Sequence, residues 1–214
     1  DDAAFDELTL TPHHVGVITE VSRQMLQQSS LGIEALLRRM QARSIGQKID
    51  AAAINGAGGV SAEPQGLLGS GIASVAYATD LFTTTAAMIA AADLSNVGGN
   101  RAFLSTNGIK ARAGLIRDAD AHPIAVADTF HGERVEFTNQ APNNLGAGTN
   151  EHALIYGDWT DFLVGIWSQI DVLVNPYAQS AYEKGNILIR SMATIDFGVR
   201  NLASFRKASG VLGS

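Results

Sequence analysis

The stretch from Ile33 to Ile54 contains no proline and a single glycine, Gly46. One glycine costs a helix about 1 kcal/mol against alanine, so the spacing predicts one long helix. Ser29 or Ser30 is placed to cap its start, and Glu34 near that end suits the helix dipole. The run Asn55-Gly56-Ala57-Gly58-Gly59 ends it, with Asn55-Gly56 expected to supply the left-handed residue. Ile33, Leu36, Leu37 and Met40 share one face. Ile45, Ile49, Ala52 and Ala53 share another, roughly 120–140° further round at about 100° per residue. The first half is therefore expected to pack on one neighbour and the second half on another. Arg38, Arg39, Gln41, Arg43 and Lys48 occupy the remainder. Two readings stay open: an ordinary helix crossing two parts of one core, or a spine that carries two lobes.

Composition narrows the class. The chain has 214 residues, enough for one substantial core or two small lobes. At 46% hydrophobic and 17% charged it is globular. A charged fraction this low, with many Ala and Gly, fits a surface covered by copies of itself, and a compact monomer shows the same bias. The net charge of −6 argues against a dedicated nucleic-acid binder. Without cysteine there is no disulfide framework and no thiolate chemistry. No apolar run approaches the ~18 residues of a membrane span. The chain does not begin with methionine and is expected to be processed or trimmed.

Along the chain, Phe5, Leu8 and Leu10 read as a strand ending at Pro12. Val15, Ile18, Val21 and Met25 then predict a helix to Gln27. Ala57 to Gly71 is a glycine-rich connector. It lacks the Gly-Lys-Ser/Thr of a phosphate loop. Ile72–Tyr77 is β-prone, and Thr79 or Asp80 caps a helix reaching Asp93. Ala102–Ser105 is a strand, Gly108–Ile116 a helix, His131-Gly132 a tight turn and Val135–Thr138 a strand. Pro142–Asn150 is a loop. Strands follow at His152–Gly157, Gly165–Val174 and Tyr182–Asp196, the last extended by Phe197–Phe205, and 206–214 tails off. Helices and strands alternate without a repeated βαβ unit, which reads as α+β.

Candidate chemistry is sparse. Asp158 and Asp161 sit at i, i+3 beside Trp159, with Trp167 and Asp171 following, and paired carboxylates serve as acid and base or hold a metal. The competing reading caps a turn with Asp158 and turns Asp161 to solvent. His13 and His14 point apart on a helix and make a poor metal pair. His122, His131 and His152 are scattered among loops without an acid or nucleophile at a telling spacing. Arg38, Arg39 and Arg43 form the only basic cluster and lack interleaved aromatics. No catalytic, cofactor or metal residue is assigned.

Taken together, VSRQML with Ser22, the long helix with Asp50, Asn55 and Gly56, and Pro64-x-Gly66-Leu67 resemble the tailed-phage major capsid protein family, of the Hong Kong 97-type fold. FHGERVEFTNQAP, YGDWTDFLVGIWSQIDVLVNPY and IRSMATIDFGVRNLASF continue the resemblance in the family's order over most of the chain. The resemblance implies a peripheral domain with the spine helix over 1–71, an axial domain over 72–175 with Pro142–Asn150 near the capsomer axis, and a return to the peripheral domain over 176–214. It implies hexamers and pentamers of an icosahedral shell around double-stranded DNA bound without sequence specificity. Scaffold, portal or decoration proteins are further partners of such shells. The implied location is the virion, and the host cytoplasm during assembly, with no membrane. The family's N-terminal arm and extended hairpin are expected upstream and are absent from this chain, which alone is then not expected to close a shell. The cross-linking glutamate of some relatives falls at Met192, which cannot act as a base, so non-covalent assembly is expected. Alternatives are an encapsulin-like compartment shell and a small α+β enzyme or ligand-binding domain; a buried cluster of Asp158, Asp161 and a histidine would favour the latter.

Overall fold

Val15, Val17, Thr19 and Val21 are β-branched residues alternating with Gly16, Ile18 and Glu20, and with Ile18 also β-branched the run favours a strand locally. The structure, a computed structural model describing residues 7–24, 33–59, 62–118, 120–178 and 182–213, forms a strand here, β1 (His13–Ser22), whose odd-numbered residues turn inward. The expected helix from Val15 is therefore corrected. Period two and stiff χ1 rotamers outweighed a four-residue match to helical spacing. Residues 7–12 take no part in strand pairing. The rest of the expected first strand, and the caps at Ser29 and Ser30, lie outside the described residues.

The long helix is α1 (Ile33–Asn55). Its inward stripe is Leu37, Gln41, Ile45 and Ile49, with Gln41 and Ile45 fully buried. Leu36 and Met40 are 52% and 59% exposed. The expectation that its first half buries a second apolar face within this chain is thus corrected. α1 lies on β1 and on β7 (Asn186–Val199). Gln41 Nε2 donates to the Ile189 carbonyl at 3.3 Å, and Ser191 Oγ donates to Gln41 Oε1 at 2.7 Å, so a buried amide is satisfied on both ends.

α1 closes differently from expectation as well. The left-handed residues are Gly58 and Gly59, at φ +59° and +64°, not Asn55-Gly56. Gly56 is needed for a different reason. Its N–H bonds the Ala52 carbonyl at 2.8 Å, while Gly66 N donates to Gly56 O at 3.1 Å. A side chain on Gly56 would collide with the carbonyl oxygens of Pro64 and Ala52, and one on Gly66 with the Gly56 nitrogen. Two backbones touch where side chains have no room.

The strands form two sheets. In one, β7 lies between β1 and β6 (Phe162–Asn175), all antiparallel. The other has five strands, joining β2 (Ala73–Ala76), β8 (Phe205–Ser209), β5 (Leu154–Asp158), β3 (Arg101–Ser105) and β4 (Val135–Phe137) in that spatial order. Sheet membership does not follow the ranges 72–175 and 176–214, since β6 sits beside β7, and β8 sits inside the five-stranded sheet. Residues 206–213 therefore do not tail off, and residue 214 lies outside the described residues. Phe205 and Val211 are fully buried.

Both faces of the five-stranded sheet are covered, which is why β5 is buried along its whole length. Leu154 and Tyr156 point to a core shared with Phe103, Phe130 and Met88, under α2 (Leu81–Asp93), α3 (Asn107–Gly114) and the short α4 (Val126–Thr129). Ile155 points to a second core with Ile54, Leu67, Ile72, Val199 and Phe205. Asp80 caps α2 as expected, accepting from Thr83 N at 2.6 Å, and Thr106 caps α3. The far end of α2 is capped from across the core. The buried Arg206 guanidinium donates to Ala91 O at 3.2 Å and to Ser95 Oγ, as well as to Ala203 O and Phe205 O. Those are the carbonyl-rich end groups a cation satisfies best.

Candidate assembly surface

Besides the passage through α1, two crossings between the sheets run side by side. After β5 the chain makes a 3-10 turn, Trp159–Asp161, into β6; after β7 a second 3-10 turn, Leu202–Ser204, leads into β8. Asp158 caps the first turn, as one sequence reading had it. Its Oδ1 accepts from Thr160 N at 3.0 Å, Thr160 Oγ1 at 2.9 Å and Asn100 N at 3.1 Å. Burial works to raise its pKa, but these hydrogen bonds from Thr160 and Asn100 outweigh it and hold the carboxyl below its usual range.

Asp161 does not face solvent, which corrects the other half of that reading. It is buried at 7% exposure, accepts from Arg200 Nε at 2.8 Å and from Ser204 Oγ, and its carbonyl takes Arg200 N at 2.8 Å. Asp161 therefore straps the crossings together, while Asp158 ties its own turn to Asn100 just before β3. Both Asp161 oxygens and Asp158 Oδ1 are already committed to these hydrogen bonds, and Asp171 lies on the exposed length of β6. A cleft of about 460 Å3 lies beside the strap, lined by Leu8, Leu67, Phe162, Phe197, Arg200 and Leu202 among others. Its one charged residue is Arg200, already paired with Asp161.

The histidines stay apart. His13 Nδ1 is 3.5 Å from Asp196, and His14 bonds Thr194 Oγ1 at 2.9 Å. His131 Nε2 lies 3.0 Å from Phe82 O, and His152 Nδ1 lies 2.6 Å from Thr106 Oγ1. Burial pushes the His152 pKa down. One grouping was not singled out from the sequence, although its residues stand at i, i+2 and i+4: ligand atoms of Asp118, Asp120 and His122 come within 4.8 Å on an exposed turn. Asp118 Oδ1 there accepts from the backbone of Asp120 and His122, closing the turn. Met192 packs across Gly16 on the uncovered face of β1 and β7. Arg38, Arg39 and Arg43 all lie exposed on α1.

What the chain does present is apolar surface. β6 is an edge strand, exposed along most of its 14 residues. Leu36 and Met40 on α1 and Ile18 on β1 add to it. A family model described as "Phage capsid family" matches residues 1–210.

The chain belongs to the phage capsid family.

That family consists of capsid structural proteins. The capsid chain is 24% identical over 209 residues to the major capsid protein of Halomonas phage phiHAP-1, a match covering 95% of this chain and 33% of that protein. It thus spans about a third of the length of that curated relative. The fold matches a capsid structure of a native GTA particle at TM-score 0.74, with 19% identity, covering 95% of this chain and 74% of that one. It matches a structure from Microbacterium phage Oxtober96 at TM-score 0.74, with 17% identity, covering 93% and 72% respectively. A structure from Mycobacterium phage Cain matches at 0.69, with 19% identity, covering 89% and 66%. The α+β fold is that of Hong Kong 97-type capsid proteins.

Proposed function

We propose that this chain forms the body of a major capsid subunit of a tailed phage or a phage-like GTA particle, a virion component that assembles with copies of itself into the hexamers and pentamers of a shell around double-stranded DNA. The observation that carries this reading is the family match over nearly the whole chain, on a fold whose apolar residues lie outside as well as inside. α1, β1, β7 and β6 make the peripheral lobe in this reading, and the five-stranded sheet with its helices makes the axial lobe. The strap at Asp161 holds the two together. An acidic balance of −6 keeps free subunits soluble and leaves the DNA loosely held. Closed symmetry multiplies each modest interface around the shell. Scaffold, portal and decoration proteins belong to the same proposal as partners that shells of this type use.

The test is assembly of the complete natural protein, followed by light scattering and negative-stain microscopy. Rings or shells that protect nuclease-resistant DNA support the reading. Shells that enclose protein and no DNA would turn it to a compartment, and a compact monomer at all concentrations would overturn it.

A further inference from the structure

β6 has the character of a buried strand in an exposed place. Leu163, Val164, Ile166, Trp167, Ile170, Leu173 and Val174 are all between 37% and 66% exposed. They occur on both faces of the strand, because neighbouring residues point to opposite sides. Asp171 is its only charge, and it contains no lysine, arginine or proline. Those are the residues with which natural proteins blunt an open edge. The patch continues past the strand end onto Tyr177, at 81% exposure.

We infer that β6 is a contact between copies of this chain, its exposed side chains being covered by a second copy in the assembled state. This rests on the capsid reading above and adds to it the surface that is used. Three observations select the occupant. The seven side chains expose roughly 600 Å2, taking large side chains at about 150–250 Å2 each. That approaches the ~800 Å2 per partner of a stable protein–protein interface. DNA would need cations that the strand does not have. A membrane surface would favour basic residues among the apolar ones, and here the single charge is acidic. The contact runs through side chains more than through an added strand. The pairing of β6 with β7 shifts register between Ile166 and Ser168 and again between Ser168 and Asp171, so a regular ladder on the outer edge is interrupted.

The complete natural protein is compared with Ile166→Lys and with Trp167→Lys, one on each face. Ile166 is mostly exposed and Trp167 half exposed in the single chain, so circular dichroism of the unassembled subunit is expected to stay unchanged, with its melting temperature unchanged for Ile166→Lys and only slightly lower for Trp167→Lys. Each substitution places a charge in a dry contact and is expected to raise the concentration for half-assembly about tenfold or more. Hydrogen exchange on the unmodified protein gives the second measurement, with the amides of 163–174 slowing on assembly. Natural protein that assembles, with both variants assembling equally well and with exchange in 163–174 unchanged, overturns this inference and leaves the capsid reading standing. Full protection, already in the unassembled subunit, of those amides of 163–174 that do not bond β7 would assign the cover to the chain's own flanking segments and overturn it too. Natural protein that never assembles overturns the capsid reading, and this inference with it.

Discussion

Arg200, one residue beyond β7, holds Asp161, one residue before β6, with its Nε 2.8 Å from the carboxylate. The two residues mark the points where the chain passes between its sheets in opposite directions, so a single ion pair closes both crossings. Asp161 is buried and Arg200 largely exposed, and the two sides of the pair are therefore unequal in consequence.

Asp161→Ala is expected to lower stability by about 1.5–3 kcal/mol, because it removes charge-assisted hydrogen bonds and leaves Ser204 Oγ and Arg200 without their acceptor. Arg200→Ala is expected to cost about 1 kcal/mol or less, as an exposed partner does. Urea unfolding followed by tryptophan fluorescence measures both. Equal losses in the two variants would refute the asymmetry.

Arg206→Lys keeps the charge and loses the fork. It is expected to destabilise by about 1.5–3 kcal/mol and to speed amide exchange selectively at the end of α2, around Ala92 to Asn96. Uniform exchange across α2 in this variant would show that the guanidinium is not the cap.

Gly56→Ala inserts a methyl group between two backbones that already touch. A loss of about 1–3 kcal/mol or more is expected, whereas Gly46→Ala, where nothing lies within 4 Å of the added carbon, is expected to gain up to about 1 kcal/mol from helix propensity. Thermal melts of the two variants shifting in the same direction would contradict this.

Stability is expected to fall on acidification in two stages. The folded state holds His152 below its usual 6.5, so the unfolded chain binds the proton more readily. Its contribution is complete above pH 6.5 and is lost as pH falls through the lower folded value. Asp80 and Asp158 are likewise depressed below 3.8, and their contributions are lost below about pH 4. Urea midpoints between pH 3 and 8, repeated in His152→Asn, measure this. A variant with the same slope as the natural chain between pH 5 and 7 would remove His152 from the account.

Ile45→Ala is expected to cost about 2–5 kcal/mol, and Leu36→Ala less than about 0.5. The half-buried Leu37 falls between them. This ordering separates the stripe that packs inside the chain from the face that does not, and equal losses at Ile45 and Leu36 in a monomer would mean the helix is rotated from the position described.

These contrasts show what the residues could and could not tell. The length of α1, the cap at Asp80, the turn at His131-Gly132 and the strands around Phe103 and Tyr156 were legible because each rests on local chemistry. β1 was misread because Val15 and Val21 fit both periods while Ile18 fits only the helical one, and pairing with β7, far along the chain, turns Ile18 outward. Leu36 and Met40 were read as core because periodicity reports an apolar face without saying which molecule covers it. Asp161 was misplaced because its partners, Arg200 and Ser204, lie some forty residues away and no local pattern points to them.

The pairing of early strands with late ones has a consequence for timing. β1 finds its partner only when residues 186–199 have been made, and β2, pairing only with β8, waits for residues 205–209. A nascent chain on the ribosome therefore cannot complete either sheet until synthesis has passed those positions.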